Sequence, residues 1–85
     1  MPVNIFISNL CETTSEDHLR KLFSHFGEVL SVQVIMSHET GKSEKFAFVE
    51  MAGRDEGDAA IRQINNMQFM GRYLEAKEVR NKKDK

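Results

Sequence analysis

Two hydrophobic periodicities alternate along this chain. Runs in which side chains alternate with a period of two predict β-strands, and apolar residues spaced three or four apart predict amphipathic helices. The runs occur in the order strand, helix, strand, strand, helix, strand, at residues 3–8, 15–26, 29–36, 44–51, 53–66 and 68–79, the last including a short hairpin. This order predicts an α+β, ferredoxin-like βαββαβ sandwich, a four-stranded antiparallel sheet with two helices on one face.

Each predicted helix has one apolar side that can pack on the sheet. Thr14 or Ser15 is the expected N-cap of the first helix. Gly57, in the middle of the second, costs about 1 kcal/mol of helix stability relative to Ala. The apolar sides comprise Leu19, Leu22, Phe23, Phe26, Ala60, Ile61 and Ile64.

The run 44–51, "EKFAFVEM", has apolar residues on both faces of the predicted strand. A half-buried strand normally carries polar groups on its outer face, yet Phe46 and Phe48 lie opposite the Ala47 face. Phe6 has the same position in the first strand, opposite Ile5 and Ile7. The same alternation places Leu30, Val32, Val34, Leu74 and Ala76 toward the core, and Ser31, Gln33, Ile35, Tyr73, Glu75 and Lys77 outward.

Because both helices cover one face, the three phenylalanines are expected on a face without helices. One alternative is that another element, such as a C-terminal helix, covers them. The chain ends in "RNKKDK", which has no apolar helical stripe and is a poor cover. Exposed clustered aromatics are typical of binding surfaces, so we favour a ligand-facing platform. Ile35 either extends this surface or only pads the sheet.

Size and composition are those of a single small domain. The chain has 85 residues, of which 40% are hydrophobic, and no apolar run approaches the length of a membrane span. Its first residues show no secretory leader, and its one cysteine, Cys11, can form no internal disulfide. The three histidines have no metal-site spacing, and no nucleophile–base pattern is present. These features predict a cytoplasmic, monomeric protein without catalytic activity, metal or cofactor.

The net charge of −1 hides an asymmetry. Residues 80–85 contain four basic side chains and one acidic one, a net charge of +3, whereas residues 1–79 contain 8 basic and 12 acidic ones, a net charge of −4. A domain that grips nucleic acid by neutralising phosphates would be basic. Any polyanionic partner of this chain must be held by stacking, by a local patch or weakly.

Two motifs in the predicted first and third strands resemble those of the RNA recognition motif family. "IFISNL", residues 5–10, matches the family's hexamer motif at every position. "EKFAFVEM" matches its octamer motif at residues 46–49. The resemblance covers residues 3–80. It departs at Glu44, where the family has a basic residue, at Lys45, where it has Gly, and at Met51, where it has an aromatic.

The resemblance implies that Phe6 and Phe48 each stack a base of single-stranded RNA, while Phe46 inserts between sugars. Arg80 and the tail lysines are the expected phosphate contacts, and Lys42 and Lys45 could partly offset Glu44. A stacking platform tolerates single-stranded DNA as well. The full set of expected RNA-binding residues is Asn4, Phe6, Gln33, Lys45, Phe46, Phe48, Glu50, Glu75, Lys77 and Arg80.

We therefore expect residues 1–80 to form an RNA recognition motif domain and residues 81–85 a disordered basic tail, which either binds phosphate or is simply solvated. The expected function is that of a small post-transcriptional regulator or RNA chaperone. A protein–protein interaction module on the same fold is the alternative, because one fold hosts unrelated functions. An excised domain of a larger RNA-processing protein is also open, although the initial Met favours a complete short chain.

Overall fold

The computed structural model describes residues 2–37 and 44–79, and its elements follow the predicted order. The elements are β1 (Val3–Leu10), α1 (Glu16–Ser24), β2 (Val29–Ser37), β3 (Glu44–Met51), α2 (Arg54–Ile64), β4 (Gln68–Phe69), β5 (Arg72–Tyr73) and β6 (Glu75–Val79). Four strands form one antiparallel sheet in the spatial order β2-β3-β1-β6, while β4 and β5 form a separate hairpin. This confirms the predicted fold class.

The hydrophobic core lies between one face of the sheet and the two helices. The predicted helix sides face it: Leu19, Phe23, Ala60 and Ile64 are fully buried, and Leu22, Phe26 and Ile61 pack against them. The sheet contributes one face of each strand to this core. Its buried members are Val3, Ile5, Ile7, Leu10, Val32, Ala47, Val49, Met51 and Ala76, and Leu74 joins them from the turn before β6.

Helix α1 begins with a reciprocal cap that resolves the choice between Thr14 and Ser15. The N-cap is Ser15, whose hydroxyl accepts a hydrogen bond from the His18 backbone N–H at 3.3 Å. The Ser15 backbone N–H donates to Nδ1 of His18 at 2.9 Å, so two otherwise unpaired donors are satisfied. Thr14 is instead buried, with its hydroxyl directed at the sulfur of Met70.

Gly57 is a point of close approach between α2 and β1. A Cβ atom built on Gly57 would lie only 2.9 Å from Cβ of Val3, closer than nonbonded carbons approach. The glycine therefore lets the helix and strand backbones pack together, and this packing offsets its unfavourable helix propensity.

One predicted core position is wrong. The alternation places Leu30 inward with Val32 and Val34, but Leu30 is 44% exposed. The pairing of β2 with β3 shifts between Val29 and Ser31, so a bulge inserts one extra residue. Val29 packs against the core in place of Leu30.

Candidate nucleic-acid interface

The sheet face turned away from the helices, here called the open face, is assembled from alternate residues of four strands. The pairings align Gln33, Phe48, Phe6 and Lys77 in one row across the sheet. A second row aligns Ser31, Glu50, Asn4 and Val79. Ile35 lies opposite Phe46, and Ser8 opposite Glu75. The open face comprises these residues: Asn4, Phe6, Ser8, Ser31, Gln33, Ile35, Phe46, Phe48, Glu50, Glu75, Lys77 and Val79.

Its centre is a contiguous array of three phenylalanine rings. The Phe6 ring centroid lies 5.2 Å from that of Phe48 and 5.6 Å from that of Phe46, with the ring planes tilted by 48° and 50°. These distances fall within the range of favourable aromatic pairs. All three side chains are partly exposed, unlike Phe23 on the helix side, which is fully buried. The array therefore offers apolar π-surface to solvent, and its rings also pack against one another.

The charged groups of the open face are sparse and of mixed sign. Lys77 is exposed, with its Nζ 5.8 Å from the Phe6 ring centroid, within cation–π range. Glu50 accepts a long hydrogen bond, 3.4 Å, from the Ser31 hydroxyl. Glu75 is exposed at the β6 edge. With one cation and two carboxylates among its residues, this face cannot act as an electrostatic clamp for phosphates.

Most of the predicted site residues come together on this face. Asn4 and Gln33 are exposed beside the aromatic array and, with Glu50, Glu75 and Lys77, surround it with hydrogen-bonding groups. Arg80, by contrast, lies outside the described residues, as do Lys42 and the tail lysines.

Lys45 is separated from the others. It follows the alternation of Ala47, so its side chain leaves the sheet on the helix side, and its Nζ donates to the Glu12 backbone carbonyl at 2.8 Å. In this position it ties β3 to the segment between β1 and α1. Its predicted contact with RNA stays a prediction, and the geometry favours a structural role.

Sequence reasoning missed a cavity at the β6 edge of the open face. It has a volume of about 310 Å³ and is lined by Phe6, Ser8, Asn65, Asn66, Glu75, Ala76 and Lys77. Asn65 and Asn66 follow α2, and Asn66 has a left-handed backbone with φ of 68°. The Asn–Asn pair after the helix signals a turn. Nothing local indicates that this turn reaches the sheet edge.

The Asn of the hexamer motif has a structural role beyond β-pairing. Asn9 adopts a φ of 65° at the point where the β1–β3 pairing shifts. Its Nδ2 donates to the Tyr73 carbonyl at 2.8 Å, and its Oδ1 accepts from Nη2 of Arg72 at 2.9 Å. Asn9 thus links the end of β1 to β5 by hydrogen bonds. These bonds position the chain where it enters β6.

The thiol of Cys11 lies beside this junction. A hydrogen bond with the Thr13 side chain, at 3.2 Å between Sγ and Oγ1, lowers the pKa of Cys11 from its ordinary value. The Thr13 backbone acts in the same direction, and the positive charge of Arg72 adds a smaller effect.

Within residues 2–37 and 44–79, no three His, Cys, Asp or Glu side chains are grouped so that they could hold a metal ion. Neither α1 nor α2, the helices of this described part, has the length and apolar character needed to cross a membrane.

Comparison with known proteins agrees with this geometry. The sequence profile of the RNA recognition motif matches residues 5–75. RbpE of Nostoc sp., named as a candidate RNA-binding protein, is 36% identical over 83 residues, which are 98% of this chain and 84% of that protein. Mitochondrial glycine-rich RNA-binding protein 2 of Arabidopsis thaliana is 35% identical over 74 residues, 87% of this chain and 47% of that protein.

Among solved structures, that of RNA-binding protein PG1 is 35% identical to this chain and superposes with a TM-score of 0.83. The match covers 96% of this chain and 99% of that one. Both predicted motifs thus lie on the adjacent central strands β1 and β3, in a fold shared along nearly the whole chain, and the chain belongs to the RNA recognition motif family.

Proposed function

We propose that this protein binds single-stranded RNA through the open face, with bases stacked on Phe6 and Phe48 and with Phe46 beside the sugars. The observation that carries the proposal is the array of three rings, spaced 5.2 and 5.6 Å apart on a sheet face that no described element covers. An exposed aromatic surface of this kind can stack on the π-faces of unpaired bases.

Stacking is the main source of affinity in this proposal. Base–aromatic stacking contributes about 1–3 kcal/mol per base, so two stacks with a few edge contacts support binding in the micromolar range. Lys77 is exposed, so its ammonium group can leave the Phe6 ring for a phosphate when a base stacks there. The names of the relatives, which include RNA-binding proteins from Nostoc and Arabidopsis, support RNA as the ligand.

The cellular role that we propose is regulation or chaperoning of transcripts by a cytoplasmic monomer without catalytic activity. Residues 1–80 would form the binding domain, whereas the predicted basic tail, residues 81–85, lies outside the described residues. Single-stranded DNA is a second ligand compatible with stacking. The discriminating measurement compares RNA and DNA of one sequence, because only RNA offers the 2′-hydroxyl.

The first test is a titration of amide chemical shifts with a pool of short single-stranded RNAs. Shifts centred on Phe6, Phe46 and Phe48 are expected. Shifts confined to the tail or to the helix side, or no shifts at all, would refute the proposal.

The second test replaces Phe48 with alanine. Phe48→Ala should weaken RNA binding by about 1–3 kcal/mol, or roughly 5- to 150-fold, through loss of one stack. The fold should persist, because this ring is partly exposed on the open face and not part of the core. Phe48→Tyr should preserve binding, and Tyr73→Ala should leave it unchanged, because Tyr73 is a 61% exposed aromatic outside the four-stranded sheet. Unfolding of Phe48→Ala would show that the ring is structural instead.

A protein-interaction module remains the second candidate, favoured by one observation. The open face carries two carboxylates, Glu50 and Glu75, against the single cation Lys77, a balance that suits a basic peptide better than a polyanion. If that function is correct, a basic peptide should compete with RNA for the open face or bind where RNA does not.

A further inference from the structure

We propose that the cavity at the β6 edge selects guanine for the base stacked on Phe6, with the Glu75 carboxylate reading its Watson–Crick edge. The inference rests on the proposed RNA binding and adds base specificity to it. It is carried by the cavity itself, whose lining combines the Phe6 ring with polar groups from three segments of the chain.

The cavity wall that faces β6 is held in place by hydrogen bonds. The Asn65 side-chain oxygen accepts from the Ala76 backbone N–H at 3.1 Å, at the outer edge of the sheet. The Asn66 backbone N–H donates to the Leu74 carbonyl at 2.7 Å, and the Leu74 N–H donates to the Met67 carbonyl at 2.9 Å. The segment after α2 is therefore docked on the strand before any ligand arrives, so the cavity is preformed.

Three polar side chains in this lining are available to a ligand. The Glu75 carboxylate, the Ser8 hydroxyl and the Asn66 amide make no hydrogen bond to any residue in the described part of the chain. Ser8 and Glu75 are directly paired across β1 and β6, and Phe6 is the next residue along the same face of β1. A base lying on Phe6 would thus present its edge to these groups.

The chemistry of the bases singles out guanine. A carboxylate only accepts hydrogen bonds, and guanine is the one base with two adjacent donors, N1–H and the N2 amine, on its Watson–Crick edge. Adenine and cytosine place an acceptor beside their single amine, and uracil flanks its N3–H with two carbonyls. Each of these edges would set an oxygen or nitrogen lone pair against Glu75. The Asn66 amide and the Ser8 hydroxyl can donate to guanine O6, which completes the pattern.

Lys77 makes the carboxylate tolerable beside RNA. It lies on the same face of β6 as Glu75, two residues further along, and lines the same cavity. Its positive charge offsets the repulsion between Glu75 and neighbouring phosphates. Two hydrogen bonds from guanine to an ionised acceptor contribute more binding free energy than two hydrogen bonds to neutral acceptors.

The test measures affinity by fluorescence anisotropy for uridine hexamers that carry a single guanosine, inosine or adenosine. Inosine is guanosine without the N2 amine, so it removes one of the two donors. The wild-type protein should bind the guanosine hexamer about 5-fold or more tightly than the other two, the low end for a bidentate contact. Glu75→Gln should abolish this preference while uridine hexamer binding persists, because Gln replaces one acceptor by a donor.

Glu28→Gln is the matched control. It removes the same charge, but Glu28 is an exposed residue before β2 that lies outside both the open face and the cavity, so the guanosine preference should remain. Equal affinity for all three hexamers, or equal loss of preference in both variants, would overturn the guanine assignment. If Phe48→Ala still weakens binding in that case, the proposed RNA-binding function stands without the specificity. If no hexamer binds at all, both proposals fall.

Discussion

The charge distribution of the open face predicts an unusually weak dependence of RNA binding on salt. Among the strand residues that the structure describes on that face, Lys77 is the one cation. For single strands, each neutralised phosphate contributes a slope of about −0.7 to the plot of log affinity against log salt. Raising the salt from about 50 to about 200 mM should therefore weaken binding by only about threefold if Lys77 makes the single phosphate contact.

Phosphate contacts by the basic residues of 80–85 would make the salt dependence of RNA binding much steeper. If Arg80, Lys82, Lys83 and Lys85 all met phosphates as well, the slope would approach about −3.5 and the same change in salt would weaken binding about 100-fold. The two cases differ enough to be separated by any titration. Fluorescence anisotropy with one labelled hexamer at four salt concentrations is sufficient.

Two variants identify which residues produce the slope. Replacing Lys82, Lys83 and Lys85 together with alanine should leave the slope near −0.7, and Lys77→Ala should bring it close to zero with only a small loss of affinity at low salt. A steep slope that disappears when the three lysines are replaced would show that the tail binds phosphate. A steep slope that persists in it would refute the stacking-based account of affinity.

Three further outcomes follow from the packing and from one pKa. Gly57→Ala should lower the free energy of unfolding measured in urea. Overpacking against Val3 costs about 1–3 kcal/mol, whereas the gain in helix propensity is about 1 kcal/mol. A stabilised variant would contradict the close approach of α2 to Val3. Ser15→Ala should cost about 1 kcal/mol in the same assay, and Ser15→Asp should largely restore the cap. Thr13→Ala should slow alkylation of Cys11 by iodoacetamide at neutral pH, because the Thr13 hydrogen bond lowers the Cys11 pKa and so increases the thiolate fraction of the wild type. The rates of wild type and variant should converge well above the thiol pKa. Equal rates at neutral pH would show that Thr13 does not tune the thiol.

Much of the candidate site was predictable because it depends on alternation within single strands. The outward positions of Phe6, Phe46 and Phe48 follow from the period of two, and the hexamer and octamer motifs relate them to a known family. The same alternation assigns Lys45 to the helix side with Ala47. The expected RNA contact of Lys45, which rested on its positive charge beside Glu44, stays a prediction.

The sequence by itself determined the order of the elements, the faces of the helices and the aromatic character of the open face, because these depend on spacing along one segment. Only the tertiary structure decided what depends on two segments meeting. Leu30 is exposed because the pairing of β2 with β3 shifts, and Gly57 is needed because Val3 lies beneath it. Asn65 and Asn66 reach the β6 edge because α2 ends beside that strand, and no local pattern encodes a distance between segments remote along the chain.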